Sequence, residues 1–268
     1  MREEEAAIPF VFKVVAALSL AILLVPVIVV VLAGLNAGDY LTFPPQGLSL
    51  RWIKAFLTSP LFLSAYGISF IVALAATLIS TVIGTMAAVY LTRSTGALVS
   101  VLRGFFMLPI VLPGVVLGLA LYVFYVTSGI GLARTLPGLL VGHVIVTCPF
   151  VIATVTASLV GFDRSLEEAA RSLGAGPFTA FRLVTLKIIA PAISAGSIFA
   201  FIVSFGQFEL TLFLTGPDLQ TLPAAMYVSM RYKFEPTAAA AGIFAIALVV
   251  LSMVVTSRLV NLKKIFER

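Results

Sequence analysis

The sequence predicts an all-α polytopic membrane protein with six transmembrane helices and both ends on the cytoplasmic side. Three observations carry this reading. Of 268 residues, 61% are hydrophobic and 10% charged, with mean hydropathy +1.16, whereas about a quarter of a soluble domain is charged. Six apolar runs, 14–35, 63–91, 101–126, 138–160, 192–215 and 238–260, each reach the roughly 20 residues needed to cross about 30 Å of hydrocarbon. The 17 Lys and Arg divide unevenly between the ends of those runs. Only Arg51, Lys54, Arg134, Arg231 and Lys233 fall on one side, and the rest mark the other as cytoplasmic. That topology accounts for the net charge of +6 without a nucleic-acid partner.

Residues 14–35 exceed an ordinary signal-peptide core and lack a convincing small-residue cleavage site, so they read as an uncleaved first span containing Pro26. Residues 36–59 form an outer segment of turn residues leading to Arg51, Trp52 and Lys54, which suit a short helix lying at the interface. In the second span Ala76, Ser80 and Gly84 repeat every four residues, a face that permits close helix approach. The third places Gly114 and Gly118 after Pro109 and Pro113, predicting one distorted helix packed in a bundle.

In the fourth span His143 and Cys148 stand about 140° apart and form no site. His143 is expected to reach water or a backbone carbonyl near the outer end, and Cys148 to pack in the core. In the fifth, Ser197, Ala200, Ser204, Gln207 and Thr211 make one small, polar stripe at helical spacing, facing protein or water. Glu209 is the one acid within a span. Two roles stand open for it: a substrate-path or gating residue, or a polar contact to a neighbouring subunit. A short outer helix over 222–232 and a break at Pro236 precede the last span.

Catalytic chemistry is sparse. No Lys is followed by Ser or Thr, so the chain has no phosphate-cradling P-loop. One His and one Cys leave no nucleophile, disulfide framework or metal constellation, and no cofactor is expected. The chain reads as a non-enzyme.

The most polar stretch is the cytoplasmic loop 161–191. Ser165 and Glu168 have capping-box spacing. Glu167 with Arg171, and Arg164 with Glu168, are i, i+4 pairs. Gly174 supplies the left-handed stop of a short helix. Gly176 and Pro177 then start a second amphipathic stretch, 178–189, with Arg182 and Lys187 off its apolar face. The expected structure is two short helices joined by a sharp turn, the second lying against the membrane.

The run Glu168, Ala169, Ala170, then Gly174, then Val184, Thr185 and Leu186 resembles the EAA loop of binding-protein-dependent ABC importer permeases. The resemblance extends from the second span to the sixth. It implies the type I importer permease fold, with a single transmembrane permease domain over 1–268. It also implies that Glu167, Glu168, Ala169, Ala170, Arg171 and Gly174 form the helix that docks on a cytoplasmic ATPase. Where the family pattern ends in Leu-Pro, this chain has Leu186-Lys187. The region 204–227 is similar to the second permease of the polyamine and opine branch. Polyamine members carry acidic residues about where Gly206 and Gln207 stand here, so the solute stays open.

The implied partners are two ATPase subunits, a second permease chain or copy, and an extracytoplasmic solute-binding protein, all at a bacterial inner membrane. Ser204, Gln207, Glu209 and Thr211 are the candidates for the substrate path. An ATP-independent secondary transporter or channel, and a non-transporting scaffold, are the alternative classes. Neither explains the charged loop as well, since the first gives it no task and the second uses it only for binding.

Overall fold

The computed structural model describes residues 10–259. Glu3–Glu5, Arg2, Lys263, Lys264 and Arg268, and the last residue of the expected sixth span, lie outside them. Within them the chain is helical, with no strand. Five helices are long and apolar enough to cross a membrane, and a sixth crossing is available to a bent pair. The packing separates into two compact units.

The first unit comprises residues 10–63 and 226–247. Helix α1 (Phe10–Gly34) exposes apolar side chains such as Phe10 and Ile22, as a lipid-facing span does. The following turn is organised by Asn36, which is fully buried. Its amide donates to the Tyr40 carbonyl at 2.9 Å and accepts from the Gln46 N–H at 2.9 Å. Helix α2 (Arg51–Thr58) is the expected short helix. Trp52 donates to the Gly38 carbonyl at 3.1 Å, and the Arg51 guanidinium lies 4.4 Å from the Trp52 ring centre while pairing with Asp39. Phe56 stacks on Phe244 at 4.6 Å. Gly34 lets α1 approach closely, since a Cβ there would sit 2.9 Å from the Ala240 backbone nitrogen.

The second unit, residues 64–225 and 248–259, holds most of the chain. Helix α3 (Pro60–Arg93) enters it at residue 64 and packs its small stripe inward: Ala76 and Ser80 are fully buried. A Cβ at Gly84 would meet Val151 at 2.8 Å. Ser80 hydrogen-bonds Thr147 of α6 (Leu136–Val160) at 2.7 Å. With little hydrophobic drive between helices in lipid, such close contacts and polar bridges hold the bundle together. Cys148 packs in the core with Leu91, Val151, Val155 and Ile189, as expected.

Two spans depart from the reading of the sequence. The third is not one distorted helix: α4 (Ala97–Val111) and α5 (Gly114–Ser128) are bent by 106°. Leu112, pushed to extended geometry (ψ 135°) by the proline after it, makes the break. The fifth helix begins earlier and ends earlier than 192–215. α8 (Pro177–Ala180), a π-turn (Phe181–Thr185) and α9 (Leu186–Phe205) run on as a single candidate span. The amphipathic stretch 178–189 is thus the foot of a membrane helix, and no separate second loop helix forms. Beyond Phe205 the chain leaves the helix, makes the short α10 (Thr211–Leu214), and continues into α11 (Leu222–Tyr232) and α12 (Thr237–Leu259).

Candidate functional site

Helix α7 (Ser165–Ser172) stands between α6 and α8, and its ends are defined by local chemistry. Ser165 and Glu168 do not form the expected capping box. Asp163, two residues before Ser165, accepts the Ser165 N–H at 2.9 Å instead. Hydrogen bonds from the Ser165 backbone and hydroxyl hold the Asp163 carboxyl below the ordinary aspartate value. The far end closes as the sequence indicates. Gly174 takes φ +89°, its N–H donates to the Arg171 carbonyl at 3.0 Å, and the Ala175 N–H reaches the Ala170 carbonyl at 3.1 Å. This paired bond pattern is a Schellman stop, which satisfies carbonyls that a helix end otherwise leaves bare.

Neither expected i, i+4 pair closes into a direct salt bridge, although the Arg171 charge still helps hold the Glu167 carboxyl down. Glu167 turns inward, with its side chain 15% exposed, and accepts from Arg93 at 2.6 and 3.2 Å and from the Thr185 hydroxyl at 2.8 Å. Burial pushes its carboxyl up, but the Thr185 hydroxyl and the Arg93 guanidinium outweigh burial and hold it below the ordinary glutamate value. Arg93 also lies 5.6 Å from the Phe181 ring centre. The Arg164 guanidinium donates to the Thr92 carbonyl at 3.2 Å. The start of α7 is thereby fastened to the last residues of α3 and to the π-turn that begins the fifth span. Arg93 and Thr185 did not stand out as site residues in the sequence, because their partner lies 74 and 18 positions away.

The outer side of α7 is open. Glu168, Ala169, Arg171 and Gly174 are exposed, and Ala170 is half-buried. Leu173 is 90% exposed and Phe178 75%. Acidic, small and apolar groups are thus exposed on α7 and just after it, beside a mixed-charge hollow of about 200 Å³ lined by Arg93, Arg164, Glu167, Glu168 and Arg171.

The candidate path residues do not share one helical stripe, because α9 ends at Phe205. Ser204 is buried and bonds the His143 Nδ1 at 2.7 Å. That bond replaces the water or backbone carbonyl expected for His143. Thr211 is fully buried and donates to the Gln207 and Phe208 carbonyls. Gln207 is half-buried and Glu209 exposed. The Glu209 side chain packs on Gly114, where an added Cβ would lie 3.0 Å from its own. A carboxylate there faces the N-terminus of α5, the positive end of a helix dipole left bare by the break. One turn on, a Cβ at Gly118 would lie 2.9 Å from the Leu210 backbone. The small-residue face of α5 therefore seats the segment 209–214.

Residues 80–264 match the family described as binding-protein-dependent transport system inner membrane component. The chain belongs to that family. It is 32% identical over 230 residues to the putrescine transport system permease protein PotI of Escherichia coli (strain K12), covering 83% of this chain and 81% of that one. It is 30% identical over 242 residues to the spermidine/putrescine transport system permease protein PotC of the same strain, covering 90% and 89%. Among solved structures, a bacterial alginate ABC transporter in complex with its pentasaccharide-bound periplasmic protein matches with a TM-score of 0.71 at 16% identity, covering 92% of this chain and 93% of that one. This last likeness supports the fold alone. The family is one of membrane permeases of ABC importers, so the chain is a transporter component and not an enzyme.

Proposed function

We propose that this chain forms half of the translocation path of a bacterial inner-membrane ABC importer for small linear polyamines. In this reading it pairs with a second permease chain or copy, receives solute from an extracytoplasmic binding protein, and is driven by two ATPase subunits. The observation that carries the proposal is the surface of α7. It is exposed and partly apolar on its outer side, yet fastened inward through Glu167 to α3 and to the foot of α9. A helix so placed moves with a docked ATPase and passes that motion to two membrane helices. Closure of the ATPase pair on ATP shifts α7, and the spans exchange inward-facing and outward-facing states.

The polyamine assignment is supported by the identity to the two polyamine permeases. In this reading Gln207 and Glu209, the half-buried and exposed members of the candidate set, are the two that meet solute. Glu168, Ala169, Ala170, Arg171 and Gly174 serve docking, and Glu167 transmits.

The test is assembly and transport by the whole complex. Co-expression with candidate ATPase and binding-protein subunits yields a complex whose ATP hydrolysis is stimulated by putrescine-loaded binding protein, with uptake of labelled putrescine into proteoliposomes. Uptake that proceeds without ATP overturns the importer reading, and stimulation by a loaded binding protein for an oxyanion overturns the polyamine assignment.

A further inference from the structure

A cavity of about 470 Å³ lies in the second unit between α3, α9 and the end of α12. Its size falls within the roughly 300–1,000 Å³ typical of small-molecule sites. None of the described residues lining it is charged. The lining combines aromatic faces, hydroxyls and aliphatic side chains.

The aromatic part belongs to a continuous ladder. Phe70 meets Phe201 edge-on at 6.2 Å, Phe201 stacks with Phe205 at 6.0 Å, and Phe205 meets Tyr66 edge-on at 5.6 Å. Phe70 is 37% exposed, so its ring is not sealed in a core. On α3 and α9 alike, an aromatic and a hydroxyl of the lining stand seven residues apart, Phe70 with Thr77 and Phe201 with Ser194. Seven residues bring both onto one helix face, about 10 Å apart along the axis. Leu74 and Ile198 fall between them.

Three of the five lining hydroxyls donate within their own helices. Ser197 donates to the Ile193 carbonyl at 2.8 Å, Ser252 to the Val249 carbonyl at 2.7 Å, and Thr256 to the Ser252 carbonyl at 2.9 Å. With their protons engaged within their own helices, the Ser252 and Thr256 oxygens keep lone pairs with which to accept, while the Ser197 oxygen is also bonded to the Thr81 hydroxyl at 2.8 Å. Thr77 is 8% exposed and its hydroxyl has no hydrogen-bond partner. A buried hydroxyl without a partner is uncommon and points to a ligand that completes it.

From this arrangement we propose that the cavity is an intramembrane binding site for a linear polyamine in transit, taking one ammonium on the faces of Phe70 and Phe201, the next on the hydroxyls around Thr77, and the methylenes on the aliphatic side chains between. An ammonium group is a pure donor, which matches lone pairs, and a cation is drawn to the negative face of an aromatic ring. An anion would call for a cation, and the lining holds none. The absence of carboxylates keeps the site weak, as a transit site must be for the solute to leave it.

The proposal rests on the polyamine reading of the preceding section, and the experiment separates the two. The complete importer is reconstituted in proteoliposomes with internal ATP and saturating putrescine-loaded binding protein. Phe201→Leu keeps apolar bulk and removes the ring, and is expected to lower uptake about fivefold to tenfold. Phe201→Tyr keeps uptake within about twofold, since the π-face remains. Mono-, di- and trifluorinated phenylalanine at position 201 should lower uptake stepwise, because fluorine drains the ring face of negative potential while its shape persists. Size-exclusion profiles and ATPase stimulation by loaded binding protein check that each variant assembles. Flat uptake across the fluorine series in a complex that transports putrescine overturns the site and leaves the cavity to a lipid acyl chain. A wild-type complex that transports no polyamine overturns the polyamine reading, and the site with it.

Discussion

Replacing Glu167 by Gln removes one charge and leaves the side chain's shape, so it tests whether the inward clasp of α7 carries force. The native carboxylate accepts two bonds from Arg93, at 2.6 and 3.2 Å, and one from Thr185 at 2.8 Å. Arg93 is 36% exposed, which discounts the pair toward a surface value, while Glu167 at 15% is better shielded. A bidentate, charge-assisted pair of this exposure contributes about 1–2 kcal/mol. Losing it shifts the fastened-to-loose ratio of α7 by about 5- to 30-fold. Docking of the ATPase on the outer side of α7 is untouched by the change. The expected signature is therefore ATP hydrolysis near the wild-type rate with putrescine uptake per ATP reduced several-fold. Arg93→Ala should give the same phenotype, and the double variant should be no worse than either single one. Additive losses in the double variant, or an unchanged uptake-to-ATP ratio in Glu167→Gln, would refute the clasp.

Other outcomes follow from the same geometry. Gly174→Val forces a β-branched residue into φ +89° at a cost of at least about 1 kcal/mol; it should reduce ATPase retention in a pull-down, whereas Ala175→Val should not. Gly118→Ala places a Cβ 2.9 Å from the Leu210 backbone, and thermal unfolding of the purified complex should show a loss of about 1–3 kcal/mol. Glu209→Gln should change uptake affinity if the carboxylate meets a cationic solute; if affinity and rate are kept, Glu209 serves only the N-terminus of α5. The pH dependence of the clasp has a definite sign. Because the Glu167 carboxyl is held below its ordinary value of 4.5, its contribution is complete above that pH and is lost as pH falls through the lowered value. The stability difference between wild type and Glu167→Gln should thus stay constant from pH 6 to 8 and vanish in strong acid.

Much of this architecture could be read from residues alone because its causes are local. Apolar runs set the spans, Gly174 set the stop of α7, and Pro236 set the start of α12. The 106° break was hidden because hydropathy continues across Pro109 and Pro113, and proline in a membrane helix is compatible with either a kink or a break. The end of α9 was hidden for a similar reason: Gly206 and Gln207 barely interrupt an apolar run that resumes at Leu210. At the loop, the spacing of Ser165 and Glu168 suggested a capping box, and only backbone geometry shows that Asp163 accepts the Ser165 N–H instead. The inward turn of Glu167 needed the tertiary fold, since one of its partners closes a different helix. Spacing predicted a short helix here but could not tell its outward glutamate, Glu168, from its inward one, Glu167.

The most direct test of ATPase docking through α7 is a cross-link. Cys148 is the only cysteine and is buried, so a background lacking it requires one substitution. In that background, cysteine placed at Ala169 or Leu173, with a short thiol-reactive cross-linker, should join this chain to its ATPase subunit in high yield, with an efficiency that changes when ATP is bound. Cysteine at Asp218, in the segment between α10 and α11, should give none. Absence of the cross-link from both α7 positions in an assembled, ATP-hydrolysing complex would contradict the account.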